Sequence, residues 1–381
     1  MRSLWASKPV RVVALALVAL MIGATAVAGQ ESTSPDLGTG WELRLQEPMP
    51  RWSAVASSEG RGFVVRALDD LAFWSADGLE WQAVTDAEGT VIVWDLAASD
   101  AGFVVTKGLR QPEGSVLFSS DGLEWENASV GRGFNFWRVN SGPRGFLVAG
   151  DRKCESVAHF SSDGRQWAPS DLPSGCISVI AAQLDDRWVA LTVGADDFGI
   201  LTSTDGVVWS EVDAQGPPRK PGAGPEFSFT RWVGYEAALR SASLTSDGET
   251  LVLAGKGTGG LWVSMDGGTT WTDAGIDDGD VAMTASDFGF VGVGPERVLV
   301  STDGIEWIEH RVDGADFHDV AAIGTTVVAT AADGIYVWTA PEPTLPLTGR
   351  ETLPLLVVAA ALIGAGLLAT RGHQRLNQNR S

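Results

Sequence analysis

A chain of 381 residues, 44% of them apolar, is long enough to bury a large core. Its formal net charge of −21 argues against nucleic acid or anionic lipid as a partner and leaves cations, basic surfaces or simple solvation to explain the charge. The 46 glycines and 16 tryptophans suit an all-β chain with many tight turns.

Residues 1–28 read as a secretory signal peptide. Arg2, Lys8 and Arg11 give a basic start, an apolar core follows, and Ala26, Val27 and Ala28 give a small-residue cleavage site before Gly29. Residues 29–40 are polar and read as a mobile lead-in.

From Trp41 onward one phrase recurs. It reads SADGLEW (75–81), SSDGLEW (119–125), SSDGRQW (161–167), STDGVVW (203–209), SMDGGTTW (264–271) and STDGIEW (301–307). Asp77, Asp121, Asp163, Asp205, Asp266 and Asp303 lie 44, 42, 42, 61 and 37 residues apart. A period near 40 residues marks a repeat architecture. Asp-Gly between apolar runs is a hairpin signal, because Gly tolerates φ > 0 and Asp bonds nearby backbone N–H groups. The Ser hydroxyl adds a local bond, and the Trp opens the next strand as an apolar anchor.

The phrase resembles the Asp box, or BNR repeat, of sialidases and many non-enzymatic β-propellers. Only residues 264–271 match the full S-x-D-x-G-x-T-W form. The likeness covers most of residues 41–339. It implies a hairpin brace, not a catalytic element, and it implies that ligands bind on the face opposite these turns.

Each period reads as four short strands, as in 136–139, 145–149, 156–161 and 167–169. Six phrases give six complete blades. Segments 317–323, 325–331 and 335–339 give three further strands, and the strand at 40–45 completes them. The expected fold is therefore an all-β, seven-bladed β-propeller over residues 41–340, closed by the N-terminal strand.

The 61-residue step marks an insertion, residues 214–238, with four prolines and four glycines. It is locally basic and aromatic. Arg219, Lys220, Phe227, Arg231, Trp232, Tyr235 and the following Arg240 are the candidate ligand-binding residues. Arg51-Trp52, Trp94-Asp95, Trp137-Arg138 and His318-Asp319 open innermost strands and are expected to ring the channel mouth. Aromatics with a few charges suit a sugar or peptide. The alternative is that the tryptophans wedge between blades and the charges face water. Cys154 and Cys176 fall in neighbouring loops. In an oxidising compartment they pair as a disulfide, or else they stay as two thiols.

A sialidase-like exo-glycosidase is the enzymatic alternative. It needs an arginine cluster, a Tyr–Glu pair and an acid/base Asp. Tyr235 and Glu236, near Arg231 and Arg240, are the tempting set, but adjacent residues on a strand point to opposite faces. No catalytic residue, metal site or cofactor is assigned. The four histidines are scattered and the Asp pairs lack calcium-loop spacing.

Residues 341–349 combine a Pro-rich spacer with Leu345, Pro346, Leu347, Thr348 and Gly349. This motif resembles the L-P-x-T-G sorting signal of sortase substrates in Gram-positive bacteria. An apolar segment at 350–370 reads as a transmembrane helix and a basic tail at 371–381 as cytoplasmic. The resemblance implies sortase as processing partner and covalent attachment to peptidoglycan through Thr348. A plain single-span membrane protein is the alternative. The whole reads as a secreted, wall-anchored binding module for an unknown surface ligand, or as a structural wall protein without one.

Overall fold

The computed structural model describes residues 36–50, 53–67, 72–84, 93–107, 116–128, 130, 135–152, 155–172, 178–193, 198–214, 242–255, 260–277 and 280–339. All lie within the compact unit that ends at Thr339. The described residues are all-β.

The edge strand β1 (Glu42–Gln46) comes first. The first four-stranded sheet follows, with β2 (Ala54–Ser58), β3 (Gly62–Arg66), β4 (Ala72–Ser75) and β5 (Gln82–Val84) in order. The second holds β6 (Val93–Ser99), β7 (Gly102–Lys107), β8 (Val116–Ser119) and β9 (Glu126–Asn127). The third holds β10 (Asn135–Gly142), β11 (Gly145–Arg152), β12 (Glu155–Ser161) and β13 (Ala168–Ser170). The fourth holds β14 (Ser178–Gln183), β15 (Trp188–Val193), β16 (Phe198–Ser203) and β17 (Ser210–Glu211), and the fifth β18 (Ser243–Ser246), β19 (Leu251–Ala254), β20 (Trp262–Ser264) and β21 (Thr272–Asp273). The last sheet has six strands. It runs from β22 (Ala282–Ser286) through β23 (Gly289–Ser301), β24 (Ile308–Ile323), β25 (Thr326–Ala331) and β26 (Gly334–Thr339) to β1.

Burial follows strand order. β3, β8 and β19 are buried throughout, whereas β9, β17 and β21 are exposed throughout. Neighbouring sheets stack face to face, so the inner strands are covered on both sides and their apolar runs need no polar alternation. One cluster joins Val64 of the first sheet to Phe103 and Leu117 of the second, and another joins Phe63 and Val65 to Val328 and Ile335 of the last. Each such side chain stabilises the fold by about 1.5–3 kcal/mol through burial.

The innermost strands form a closed ring. β2, β6, β10, β14, β18 and β22 neighbour one another in turn, and β24 lies between β22 and β2. β1 pairs antiparallel with β26, so the N-terminal strand covers the outer edge of the last sheet as expected. Trp41, just before β1, packs on Phe317 at 5.0 Å between ring centroids. Leu37 is fully buried, and Trp338 Nε1 donates to the Thr39 carbonyl at 3.1 Å.

The expectation of seven blades is corrected. Six sheets form, because β23 and β24 each continue through points where the sequence reads as a break. Pro295 still pairs with Asp316 between the two paired stretches of β23 and β24, so the last sheet is continuous. The expected transmembrane helix is also not found: among the described residues no helix is long and apolar enough to cross a membrane. Residues 350–370, where it was expected, lie outside the described residues.

The six Ser-x-Asp-Gly phrases form six closely similar turns. Each Ser Oγ donates to the Asp Oδ1 two residues on, over 2.9–3.3 Å. That Oδ1 accepts backbone N–H groups beyond the Gly, such as Leu123 at 2.9 Å and Glu124 at 3.0 Å. The Gly N–H in turn donates to the Ser Oγ, as from Gly122 to Ser119 at 2.8 Å. The Trp precedes its strand, and its indole N–H folds back on the Gly carbonyl, as from Trp307 to Gly304 at 2.7 Å. The extra residue at 264–271 shifts these bonds by one position, to Gly268 and Thr270.

The turn glycine has a second duty. Gly164 sits at φ 73°, and a Cβ there would come within 2.2 Å of the Phe118 ring on the preceding sheet. The turns are thus wedges between sheets as well as hairpins.

Candidate functional site

Antiparallel order puts the Ser-x-Asp-Gly turns at one end of the ring, with the turns that follow each innermost strand. At the other end the innermost strands begin. The turn end is braced by backbone bonds. Arg61 donates to the carbonyls of Ser120 and Asp100 on the second sheet, and Arg144 to those of Asp185 and Asp186 on the fourth.

The opposite end is built differently. Two innermost strands, β6 and β10, open with a bulge, and β24 carries one where it turns inward to pair with β25. Register shifts between Val93 and Asp95, between Phe136 and Arg138, and between Phe317 and Asp319. The residue squeezed out is Trp94, Trp137 or His318. A bulge re-aims the side chain that follows it. Asp95, Arg138 and Asp319 therefore occupy matching places on the second, third and last sheets. Ser53 precedes β2 on the first sheet, and its hydroxyl donates to Thr330 Oγ1 at 2.9 Å.

The two aspartates make the same bonds. Asp319 Oδ1 accepts from Val320 at 3.0 Å, and its Oδ2 accepts from Val55 of β2 at 2.9 Å. Asp95 Oδ1 accepts from Leu96 at 3.0 Å, and its Oδ2 from Val139 of β10 at 2.9 Å. Each carboxyl ties its own strand to the innermost strand of the next sheet. Arg138 donates to the Ala242 carbonyl of the fifth sheet at 2.8 Å and faces both carboxyls. A guanidinium that reaches the fifth sheet and acts on carboxyls of the second and last stands across the middle of the ring. Arg66, a buried residue at the end of β3, acts on Asp95 as well.

Burial governs the electrostatics here. It raises the Asp95 carboxyl above its usual range, against the pull of Arg138. It lifts Asp319 to about 7, with Asp95 adding to the rise while the Val55 and Val320 N–H groups and Arg138 oppose it. Both residues are half-buried, so the rise reflects crowding by protein rather than complete enclosure. The turn aspartates show the opposite sign. At Asp77, Asp121 and Asp205 backbone N–H bonds lead and hold the carboxyl below its usual range. At Asp163, Asp266 and Asp303 partial burial is the largest influence and pushes upward, but the N–H and Ser bonds together outweigh it.

The sequence-derived candidates divide as follows. Arg219, Lys220, Phe227, Arg231, Trp232, Tyr235 and Arg240 lie outside the described residues, as do Cys154, Cys176, Arg51, Trp52 and the stretch from Leu345 to Gly349. The insertion's anchors are described: Ala214 follows β17, and Ala242 precedes β18 and accepts the Arg138 bond. Of the residues expected to ring the channel mouth, Asp95, Arg138 and Asp319 act on one another, while His318, its side chain buried, stands by Asp316 at 3.7 Å. Arg66 escaped notice, because a charge after the apolar run GFVV looks like an ordinary strand end. Tyr336 donates to Asp333 Oδ2 at 2.9 Å in the turn between β25 and β26. Among the described residues no group of three or more His, Cys, Asp or Glu is arranged to hold a metal ion.

No family model and no curated protein matches the chain. Solved structures do. Virginiamycin B lyase from Staphylococcus aureus, studied with quinupristin in an inactive form, is 10% identical over 78% of this chain and 99% of its own, with a TM-score of 0.57. YCF48 bound to D1 peptide is 12% identical over 81% of this chain and 100% of its own, with a TM-score of 0.52. PorZ, an essential surface component of the type-IX secretion system of Porphyromonas gingivalis, is 14% identical over 80% of this chain, with a TM-score of 0.52. The chain spans 38% of the PorZ chain. At these identities the likeness establishes the β-propeller fold.

Proposed function

We propose that this chain is a non-catalytic binding module that takes a glycan or protein ligand at the end where its innermost strands begin. The observation that carries the reading is the concentration of irregularity there. Three bulged strands, two ionisable carboxyls and two guanidiniums meet at that end, and both anchors of the insertion belong to it. Propeller neighbours include one solved with a peptide and one named as a surface component, which supports the same class.

In this proposal the six turns are Asp boxes, and the insertion supplies the contacts through Arg219, Lys220, Phe227, Arg231, Trp232, Tyr235 and Arg240. The N-terminal segment directs secretion. Sortase then joins Thr348 to peptidoglycan, which displays the ring at the cell surface.

The test is a glycan and peptide array probed with the full chain and with Arg231→Ala/Trp232→Ala. Retained binding by the double variant of every ligand the parent takes would remove the insertion from the site. Turnover of a fluorogenic sialoside by the parent would overturn the non-catalytic reading.

A further inference from the structure

We propose that Asp319, set against Asp95 and Arg138 at the ring end, is a proton-binding site whose occupancy tightens the junction between the last and first sheets.

Among the described residues that junction carries four polar ties. Asp319 accepts the Val55 N–H, Ser53 Oγ donates to Thr330 Oγ1 at 2.9 Å, Ser57 Oγ donates to the Ala322 carbonyl at 2.7 Å, and the Met49 N–H donates to the Ala332 carbonyl at 3.0 Å. Asp319 is the one of these that can change charge. The molecule contains its own neutral comparison. At the junction of the third and fourth sheets, Asn140 Oδ1 accepts the Ala181 N–H at 2.9 Å, while its Nδ2 donates to the Leu147 carbonyl at 3.3 Å. A neutral acceptor is therefore sufficient to tie one innermost strand to the next. At the last–first and second–third junctions the same task falls to acids, and those acids repel each other when both are ionised.

The charged groups acting on Asp319 are Asp95 from β6 and Arg138 from β10, and Arg66 from β3 acts on Asp95. β2 presents the Val55 N–H, and Asp319's own strand carries His318 and Asp316. Two guanidiniums thus act on Asp95, while among the described residues Asp319 has only Arg138, shared with Asp95, against the charge of Asp95. Asp319 is the less compensated of the two acids, and a proton on it relieves the remainder. Crowding by protein, then Asp95, drives that uptake against the two N–H bonds and Arg138.

The sign follows from linkage. A carboxyl raised in the folded state binds a proton that the unfolded chain has released, so its stabilisation is present at acid pH and is lost as pH rises through about 7. Between pH 6 and pH 8.5 the Tm of the full chain should fall by about 3 °C from this group. Asp319→Asn should abolish that part of the fall. Asp95→Asn should move its midpoint to lower pH.

Carboxyl-carbon NMR of the parent chain provides the direct readout and needs no variant. One aspartate carboxyl titrating near neutral pH, lost in Asp319→Asn and shifted in Asp95→Asn, is the expected result. The proposal is overturned if no aspartate carboxyl titrates between about pH 5.5 and pH 8.5. It is equally overturned if Asp319→Asn keeps the parent's fall in Tm. Should that variant not fold, the parent titration and its response to Asp95→Asn decide.

Discussion

The two ends of the ring use aspartate for opposite purposes. At the turn end six carboxylates accept backbone N–H groups in the open, and their bonds hold them ionised. At the other end two carboxyls accept the same kind of bond under crowding, the charge of one acting on the other, and are pushed toward the neutral form. One residue type in one bonding role thus acquires two pH signs. Stability from the turn end is present above the ordinary carboxylate range and lost as pH falls through it. Stability from the axial end is lost as pH rises through neutrality. Hydrogen bonds set the first behaviour and burial the second.

The largest effect expected on this contrast comes from the turn glycine as a wedge. In Gly164→Ala the new Cβ would meet Phe118 at 2.2 Å while holding φ at 73°. Left-handed strain and overpacking together should cost about 3 kcal/mol. Gly60→Ala is the control, since φ there is 71° but nothing lies within 4 Å of the added atom. It should cost about 1 kcal/mol. Urea unfolding of both variants separates strain from packing, and equal losses would mean that the turns do not wedge the sheets.

Much of this frame was legible in the repeated phrase. Ser, Asp and Gly at fixed spacing are a local program: the bonds they make span two to four residues, so no tertiary knowledge is needed to read them. The strand layout and the covering of β26 by β1 follow from the spacing of those turns. The number of sheets did not follow. Whether Gly294, Pro295 and Glu296 end a strand or carry one through depends on the partner across the ladder, and Asp316 supplies that partner. The axial cluster was half legible. Trp-Asp and Trp-Arg at the start of β6 and β10, and His-Asp within β24, mark the bulges, and the bulges aim the charges. Arg66 lies on a second strand, more than 70 residues from Arg138, and no local pattern connects it to Asp95.

A smaller effect, with its own pH signature, belongs to the axial cation. Arg138→Leu removes the bond to the Ala242 carbonyl and the charge facing both acids. At pH 8.5, above the range in which Asp319 gives up its proton, the loss should be about 2 kcal/mol, as for a charge-assisted bond. At pH 6 a proton on Asp319 takes over part of the role of the guanidinium, so the loss should shrink. Chemical unfolding at the two pH values measures the difference. A loss independent of pH would mean that Arg138 acts by packing alone, and the two ends would then no longer differ in how they handle charge.

The smallest effect tests the turn end by the same logic. In Ser119→Ala the buried Gly122 N–H loses its acceptor and Asp121 loses the hydroxyl that donates to it. The cost should be about 1 kcal/mol at neutral pH, since one buried donor is left unmade. Asp121 keeps its bonds from Leu123 and Glu124, so its carboxyl should stay below the ordinary range but rise toward it. The acid limb of the unfolding profile should therefore move to slightly higher pH, while the limb near neutrality, which belongs to Asp319, stays where it is. The two ends lie on different side chains with no shared partner, so their titrations should add. A Ser119→Ala variant that shifted the neutral limb instead would couple the ends, and the division of labour between open and crowded aspartates would fail.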